Sequence, residues 1–270
     1  MATRTVYAAA SALAATTFLV VLMKLTPSVP QPQYYHDFAD KRELFGIPYA
    51  VNVMSNFPFL AIGLMGLILC HYGNYFNISL QGEKWAWTCF YVGVTAVAFG
   101  SSYYHLKPDD GRLMWDRLPM TIAFTSVVAI FIIERIDEKK GTLSIIPLVM
   151  AGIISVVYWR QAYYFDSLIY TWFFDDLRLY ALAQSLPFIA IALIAILFPP
   201  MYTHSMYWLW AAGFYQLALV QEATDRVIYM STLHIVSGHT LKHLSAAMGP
   251  VILTLMLTKR SIDVKREKSL

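Results

Sequence analysis

Apolar residues run along this chain in long blocks, broken at intervals by charges, Pro and Gly signals and short polar stretches. A helix needs roughly 20 apolar residues to cross a bilayer core about 30 Å thick, because its backbone polar groups must all be paired internally. By that measure the chain holds eight candidate spans, near 6–25, 50–72, 84–105, 117–134, 142–159, 180–198, 205–222 and 235–258. Two long uncharged runs have to be divided. The run 44–82 breaks at the polar stretch 71–77, leaving one span inside it. The run 179–221 breaks at Pro199-Pro200, which no continuous helix tolerates. The pattern predicts an all-α, polytopic membrane helix bundle: a seven-helix core plus one extra N-terminal transmembrane helix.

Composition agrees with this pattern. Of 270 residues, 58% are apolar and 14% charged, and the mean hydropathy is +0.52. A soluble globular protein carries about 25% charged residues to hydrate its surface. A soluble enzyme, a nucleic-acid binder and a disordered protein are excluded on this ground. The net charge of +3 is too small to call for an acidic partner. The bilayer is the first expected partner, and nucleic acid is not one.

The chain divides at residue 35 and residue 258. Residues 1–35 read as a signal-anchor helix with a Pro-rich linker, Pro27 to Pro32; Arg4 gives the helix a short basic start, and no clear small-residue cleavage site follows it. Residues 36–258 form the seven-helix domain, and 259–270 a basic tail. Lys and Arg are almost balanced between the two sides, so the dense cluster Lys259, Arg260, Lys265, Arg266 and Lys268 decides the orientation, with the C-terminus in the cytosol. Asn77-Ile78-Ser79, a glycosylation acceptor, then lies on the cytosolic side and stays unmodified. Cys70 and Cys89 lie in or beside apolar helix and read as packing residues. The aromatic stretch 161–172, with Asp166, is assigned neither to a span nor to a loop.

Ionisable groups inside a bilayer are costly and suggest function. Of seven histidines, His36, His71, His204 and His234 fall in loops or at interfaces. His239 and His243 form an H-x-x-x-H pair, and positions i and i+4 share one helix face, so both imidazoles can reach one metal ion. Counting crossings puts His105, at the far end of the third segment, on the side where the last segment begins. Three histidines at one depth match the open three-ligand arrangement of catalytic zinc. Ser101 lies one turn before His105, and Asp116 stands at the start of the next helix on the same side. A carboxylate there can accept the proton of an attacking water. Blander roles also exist: an ion pair of Asp116 with Arg112 or Arg117, a helix N-cap, or back-bonding of Ser101 to a helix carbonyl. Glu222 and Asp225 are candidates to orient a ligand histidine, and Lys242 must leave by a different helix face.

These residues resemble a family. Ser101-x-x-x-His105, then Asp116, then His239-x-x-x-His243 is similar to the CREST group of membrane hydrolases, which includes alkaline ceramidases, the progestin and adipoQ receptors and a GPI-lipid remodelling family. The stretch 52–59, Asn-Val-Met-Ser-Asn-Phe-Pro-Phe, resembles the start of the first core helix of alkaline ceramidases, and the phytoceramidase-like branch matches best. The resemblance spans roughly residues 37–258. It implies zinc held by His105, His239 and His243 with water as a fourth ligand, Asp116 as general base, and Ser101 holding the water or the oxyanion. The implied substrate is a ceramide-class lipid, cleaved to a sphingoid base and a fatty acid in an endoplasmic reticulum or Golgi membrane. Alkaline ceramidases also carry an acidic calcium-binding segment. Asp37 and Asp40 would fill two of its positions, but Lys41 and Arg42 intrude and Tyr49 replaces a further carboxylate, which disfavours Ca2+. The other readings are a seven-helix lipid receptor or sensor of the progestin and adipoQ type, and a zinc hydrolase acting on another membrane lipid ester.

Overall fold

The computed structural model describes residues 17–161 and 175–263, and these contain helices and no strand. Residues 17–25 are helical and belong to the first expected span, whose earlier part lies outside the described residues, as does the stretch 162–172. After a short turn of 3-10 helix at Gln33–His36 come nine α-helices. They are α1 (Ala50–Met54), α2 (Phe57–His71), α3 (Gln81–Leu106), α4 (Asp110–Arg135) and α5 (Glu138–Gln161). The second half holds α6 (Arg178–Leu197), α7 (Met206–Ala223), α8 (Asp225–Ser231) and α9 (Gly238–Lys259).

Five stretches are long and apolar enough to cross a membrane: Ala50–His71, Asp110–Arg135, Glu138–Arg160, Arg178–Leu197 and Gly238–Lys259. Among the described residues the protein is therefore all-helical, with five helical stretches able to cross a membrane by length and composition. Helices α3 and α7 have the length of a span, but their Trp, Tyr and polar side chains keep them less apolar than the other five. The expected span 50–72 is interrupted at Ser55-Asn56, between α1 and α2. Helix α4 starts at Asp110, two turns before the expected boundary at 117. The charges there read as loop, yet Asp109 caps the helix by accepting the Arg112 N–H at 2.8 Å, so the polar turns stay helical.

Helix α4 is the hub, packing against α3, α5 and α6, while α9 packs chiefly against α7. Close approach of α3 to α4 depends on two glycines. A Cβ on Gly93 would lie 2.8 Å from Ala123 N, and one on Gly100 would collide with the Trp115 carbonyl. Small residues that let backbones meet are the usual means of packing helices where no water drives association. At the end of the bundle away from His105, Arg260 clamps three elements. Its guanidinium meets Glu134 of α4 at 2.6 Å and Glu83 of α3 at 3.3 Å, and its Nε donates to the Asn77 carbonyl at 2.9 Å. Breaking such a buried pair from one side leaves an uncompensated charge.

The glycine crossing gives a paired expectation. Gly100→Ala should destabilise the protein by about 1–3 kcal/mol through overpacking against the Trp115 carbonyl. Gly213→Ala, at a position with nothing within 4 Å of the added carbon, should leave the thermal midpoint unchanged or slightly raised. Equal shifts for the two variants, read by thermal unfolding in detergent, would contradict this packing.

Candidate metal centre

The site is built at the end of the bundle where α3 finishes and α4 and α9 begin. His105 occupies the last turn of α3, and His239 and His243 lie in the first two turns of α9. Helix α9 is started by Ser237, whose hydroxyl caps Thr240 N–H at 3.1 Å. Gly238 lets this start abut the end of α7 and the beginning of α8, since an added Cβ would meet the Gln221 carbonyl and lie 2.7 Å from Asp225 Cα. One carboxylate then locks the turn: Asp225 accepts the His239 backbone N–H at 2.7 Å and the Ala39 N–H at 2.8 Å.

All three imidazoles are buried, and one ring nitrogen from each lies within 4.8 Å of the others. His105 Nε2 and His239 Nε2 are 3.2 Å apart. Two nitrogens on one tetrahedral zinc, each bonded at 2.0–2.1 Å, would be separated by about 3.3 Å. The hydrogen bonds also set a tautomer. Ser55 gives its proton to the Asn52 carbonyl at 2.9 Å, so its oxygen accepts from His243 Nδ1 at 2.7 Å. His243 Nε2 is then the lone-pair nitrogen, as a metal ligand requires. Thr240 donates to Asn52 Oδ1 at 2.9 Å and ties the same turn of α9 to α1. Three neutral imidazole donors fit zinc and other metals that favour nitrogen ligands.

Ser101 and Asp116 lie near each other across the α3–α4 contact, both buried and both lining one cavity. The blander roles for Asp116 are taken elsewhere. Asp109 is the N-cap, Arg112 lies over the Tyr103 ring at 4.5 Å, and Arg117 donates to Gln31 Oε1 at 2.7 Å. Lys242 leaves by a different face of α9 and pairs with Glu222. Glu222 also accepts from Tyr35 at 3.3 Å and lies 3.9 Å from His239 Nδ1, so of the two acids at the end of α7 it is the one beside a ligand ring. Asp225 acts instead through the backbone.

Several contributors had weaker sequence signals. Phe38 lies over the histidines, its ring centroid 4.7 Å from that of His105 and 4.4 Å from that of His239. His36, expected in a solvated loop, bridges Tyr104 at 2.8 Å and Asp110 at 2.9 Å. A lone Phe or His in a linker carries no periodicity that would reveal these contacts. Ser55, by contrast, sits within the stretch 52–59 that carries the family resemblance. The two acids named for calcium are engaged by cations: Asp37 by Lys41 at 2.6 Å and by Arg226, Asp40 by Arg42 at 2.6 Å. The hydrogen bond from Lys41, with Arg226 behind it, holds the Asp37 carboxyl below its ordinary range.

A cavity of about 590 Å³ opens from this site between α4 and α6 on one side and α7 and α9 on the other. Ser101, Asp116, Lys242 and His243 line one end, and Arg135 and Ser205 the other. Between them the wall is apolar, with Met120, Phe124, Phe131, Ile191 and Leu253 among its members. Asp116 and Arg135 are nineteen residues apart on α4, so at 1.5 Å per residue the cavity extends about 28 Å along that helix. No protein-family model matches the chain, and no curated protein matches it either.

The Ser55 contact yields a measurable consequence. Ser55→Ala removes the acceptor that fixes the His243 ring, and zinc affinity should fall about 10–100-fold. Competition with a chromophoric chelator reads this directly, and unchanged affinity would remove Ser55 from the site.

Proposed function

We propose that the protein is a zinc-dependent membrane hydrolase of the alkaline ceramidase type. In this reading it cleaves the amide of ceramide or phytoceramide to a sphingoid base and a free fatty acid. The observation that carries it is the meeting of three buried imidazoles with Ser101 and Asp116 at the head of a long apolar cavity. A diacyl-like lipid can place its polar amide at that head and a hydrocarbon chain along the wall, where burial is favourable.

His105, His239 and His243 would hold the metal. When bound, zinc supplies Lewis acidity that polarises a carbonyl and makes water a stronger acid. Asp116 then accepts a proton at its carboxylate oxygen as water adds to the carbonyl carbon, and returns that proton to the leaving nitrogen. The C–N bond breaks, hydroxyl ends on the acyl carbon, and the nitrogen leaves as an amine. Ser101 keeps the Asp116 carboxylate aimed at the reacting atoms and offers its hydroxyl to the substrate oxygen. Phe38 covers the outer face of the histidines and limits bulk water there. In the same reading the chain crosses the membrane seven times after its N-terminal anchor helix. It resides in the endoplasmic reticulum or Golgi and keeps its C-terminus in the cytosol.

Purified protein should contain about one zinc and release fatty acid from ceramide. Asp116→Asn should keep the zinc and lose activity by about 100-fold or more, while His239→Ala should lose both. Ceramide hydrolysis retained in both variants would refute the proposal. Fatty-acid release from an ester lipid but not from ceramide would move the substrate assignment to that ester.

A further inference from the structure

Gly249 stands in the interior of α9 with no packing contact that calls for glycine. Glycine weakens a helix interior, so its presence there needs a reason. At Gly93, Gly100 and Gly238 the reason is contact, because an added Cβ would strike a neighbouring helix. At Gly249 an added Cβ would meet only the Ala211 carbonyl oxygen, at 4.0 Å. Pro250 does not supply a reason either. Proline crowds the residue before it, yet Pro119, Pro147 and Pro187 sit inside α4, α5 and α6 directly after Leu118, Ile146 and Leu186.

What Gly249 does face is the cavity. It lines that space together with Lys242, Ala246 and Leu253, which follow the helical repeat on the same face of α9. It lies six residues beyond His243, about 9 Å along the helix at 1.5 Å per residue. On α4, Ala123 lines the cavity seven residues beyond Asp116, about 10 Å from it by the same rise. Ala211 of α7 lines it opposite Gly249. Three helices thus place small residues around one level of the cavity. Below that level the cavity continues to Phe131, Trp208 and Arg135. There the Phe131 and Trp208 ring centroids are 4.6 Å apart, and Arg135 donates to the Phe198 carbonyl at 2.9 Å, which ties α4 to α7 and to the end of α6.

The space suits one hydrocarbon chain. A water molecule takes about 30 Å³ of liquid and a methylene is of similar size, so a cavity of about 590 Å³ holds about 20 such groups. An extended chain advances about 1.2 Å per bond, by analogy with the roughly 3.3–3.6 Å that three backbone bonds span. A chain of about 20 carbons then reaches about 23 Å, within the length available between Asp116 and Arg135. We infer that Gly249 is a specificity-determining residue: its missing side chain lets one hydrocarbon chain run past the middle of the cavity towards Arg135, and so sets the chain length that the protein accepts. This deepens the hydrolase reading, in which the lipid lends one of its chains to the cavity, but binding tests it separately.

The probes are radiolabelled octanoate and hexadecanoate, saturated carboxylates of the class released in the proposed reaction. At about 1.2 Å per bond octanoate ends near the level of Gly249, whereas hexadecanoate must pass it. Equilibrium binding to the full-length, zinc-loaded protein in detergent should show hexadecanoate bound more tightly than octanoate. Gly249→Phe should weaken hexadecanoate by about tenfold or more, because a ring fills the path. Octanoate binding, zinc content and the thermal midpoint should stay as they were, since the added side chain enters open space. An unchanged hexadecanoate affinity in Gly249→Phe, an equal loss for both chain lengths, or no length preference in the natural protein would overturn the inference. If Gly249→Phe fails to fold, Gly249→Leu takes the same two probes, and unchanged hexadecanoate binding there overturns it as well. A natural protein that shows the length dependence yet releases no fatty acid from ceramide would keep the channel and lose the proposed reaction.

Discussion

Three imidazoles turned towards one point in a buried space are the constraint on which the rest of this structure depends. To hold one metal ion each must present a ring lone pair inwards, and the Nε2 atoms of His105 and His239 are 3.2 Å apart. The surrounding helices hold this arrangement from three directions. Gly93 and Gly100 bring α3 against α4, so that His105 and Ser101 meet Asp116. Gly238 and Asp225 fix where α9 begins, and that fixes His239 and His243. Ser55 reaches across from the junction of α1 and α2 and sets the His243 ring. Helix ends supply all three histidines, and the turn between α1 and α2 supplies Ser55.

The same geometry covers the histidines with Phe38 on one side and joins them to an apolar-walled cavity on the other. Phe38 and Tyr35, from the segment before α1, cover the outer side and touch the His239 ring and Glu222. On the inner side, α6 leans on α4 and α5 while α7 leans on α9, and the cavity runs between these groups. Polar chemistry at one end and an apolar channel behind it suit an amphiphile with its reactive bond near its head. The far end of the bundle is closed by Arg260 and its two carboxylates, so the clamp that holds the helices together is well removed from the histidines.

Much of this was legible in the chain itself. Block hydrophobicity located the helices, because the bilayer requirement leaves few alternatives to a long apolar helix. The i, i+4 spacing of His239 and His243, with His105 placed by counting crossings, located the three-histidine cluster. Three things were not legible. Asp109 turned an apparently charged loop into the first turns of α4, since one capping side chain outweighs the polar composition around it. Ser55-Asn56 split an apolar block that hydropathy reads as continuous. Phe38 and His36 owe their roles to neighbours far away in sequence, and no local pattern carries that information.

In the proposed reading His105, His239 and His243 bind one metal ion through nitrogen and leave a position for water. X-ray absorption at the zinc edge of the zinc-loaded protein measures this directly. The account predicts three nitrogen scatterers at about 2.0–2.1 Å with imidazole outer-shell features, and one further light-atom ligand. A first shell with sulfur, or an imidazole signal that persists unchanged in His105→Ala, would contradict it.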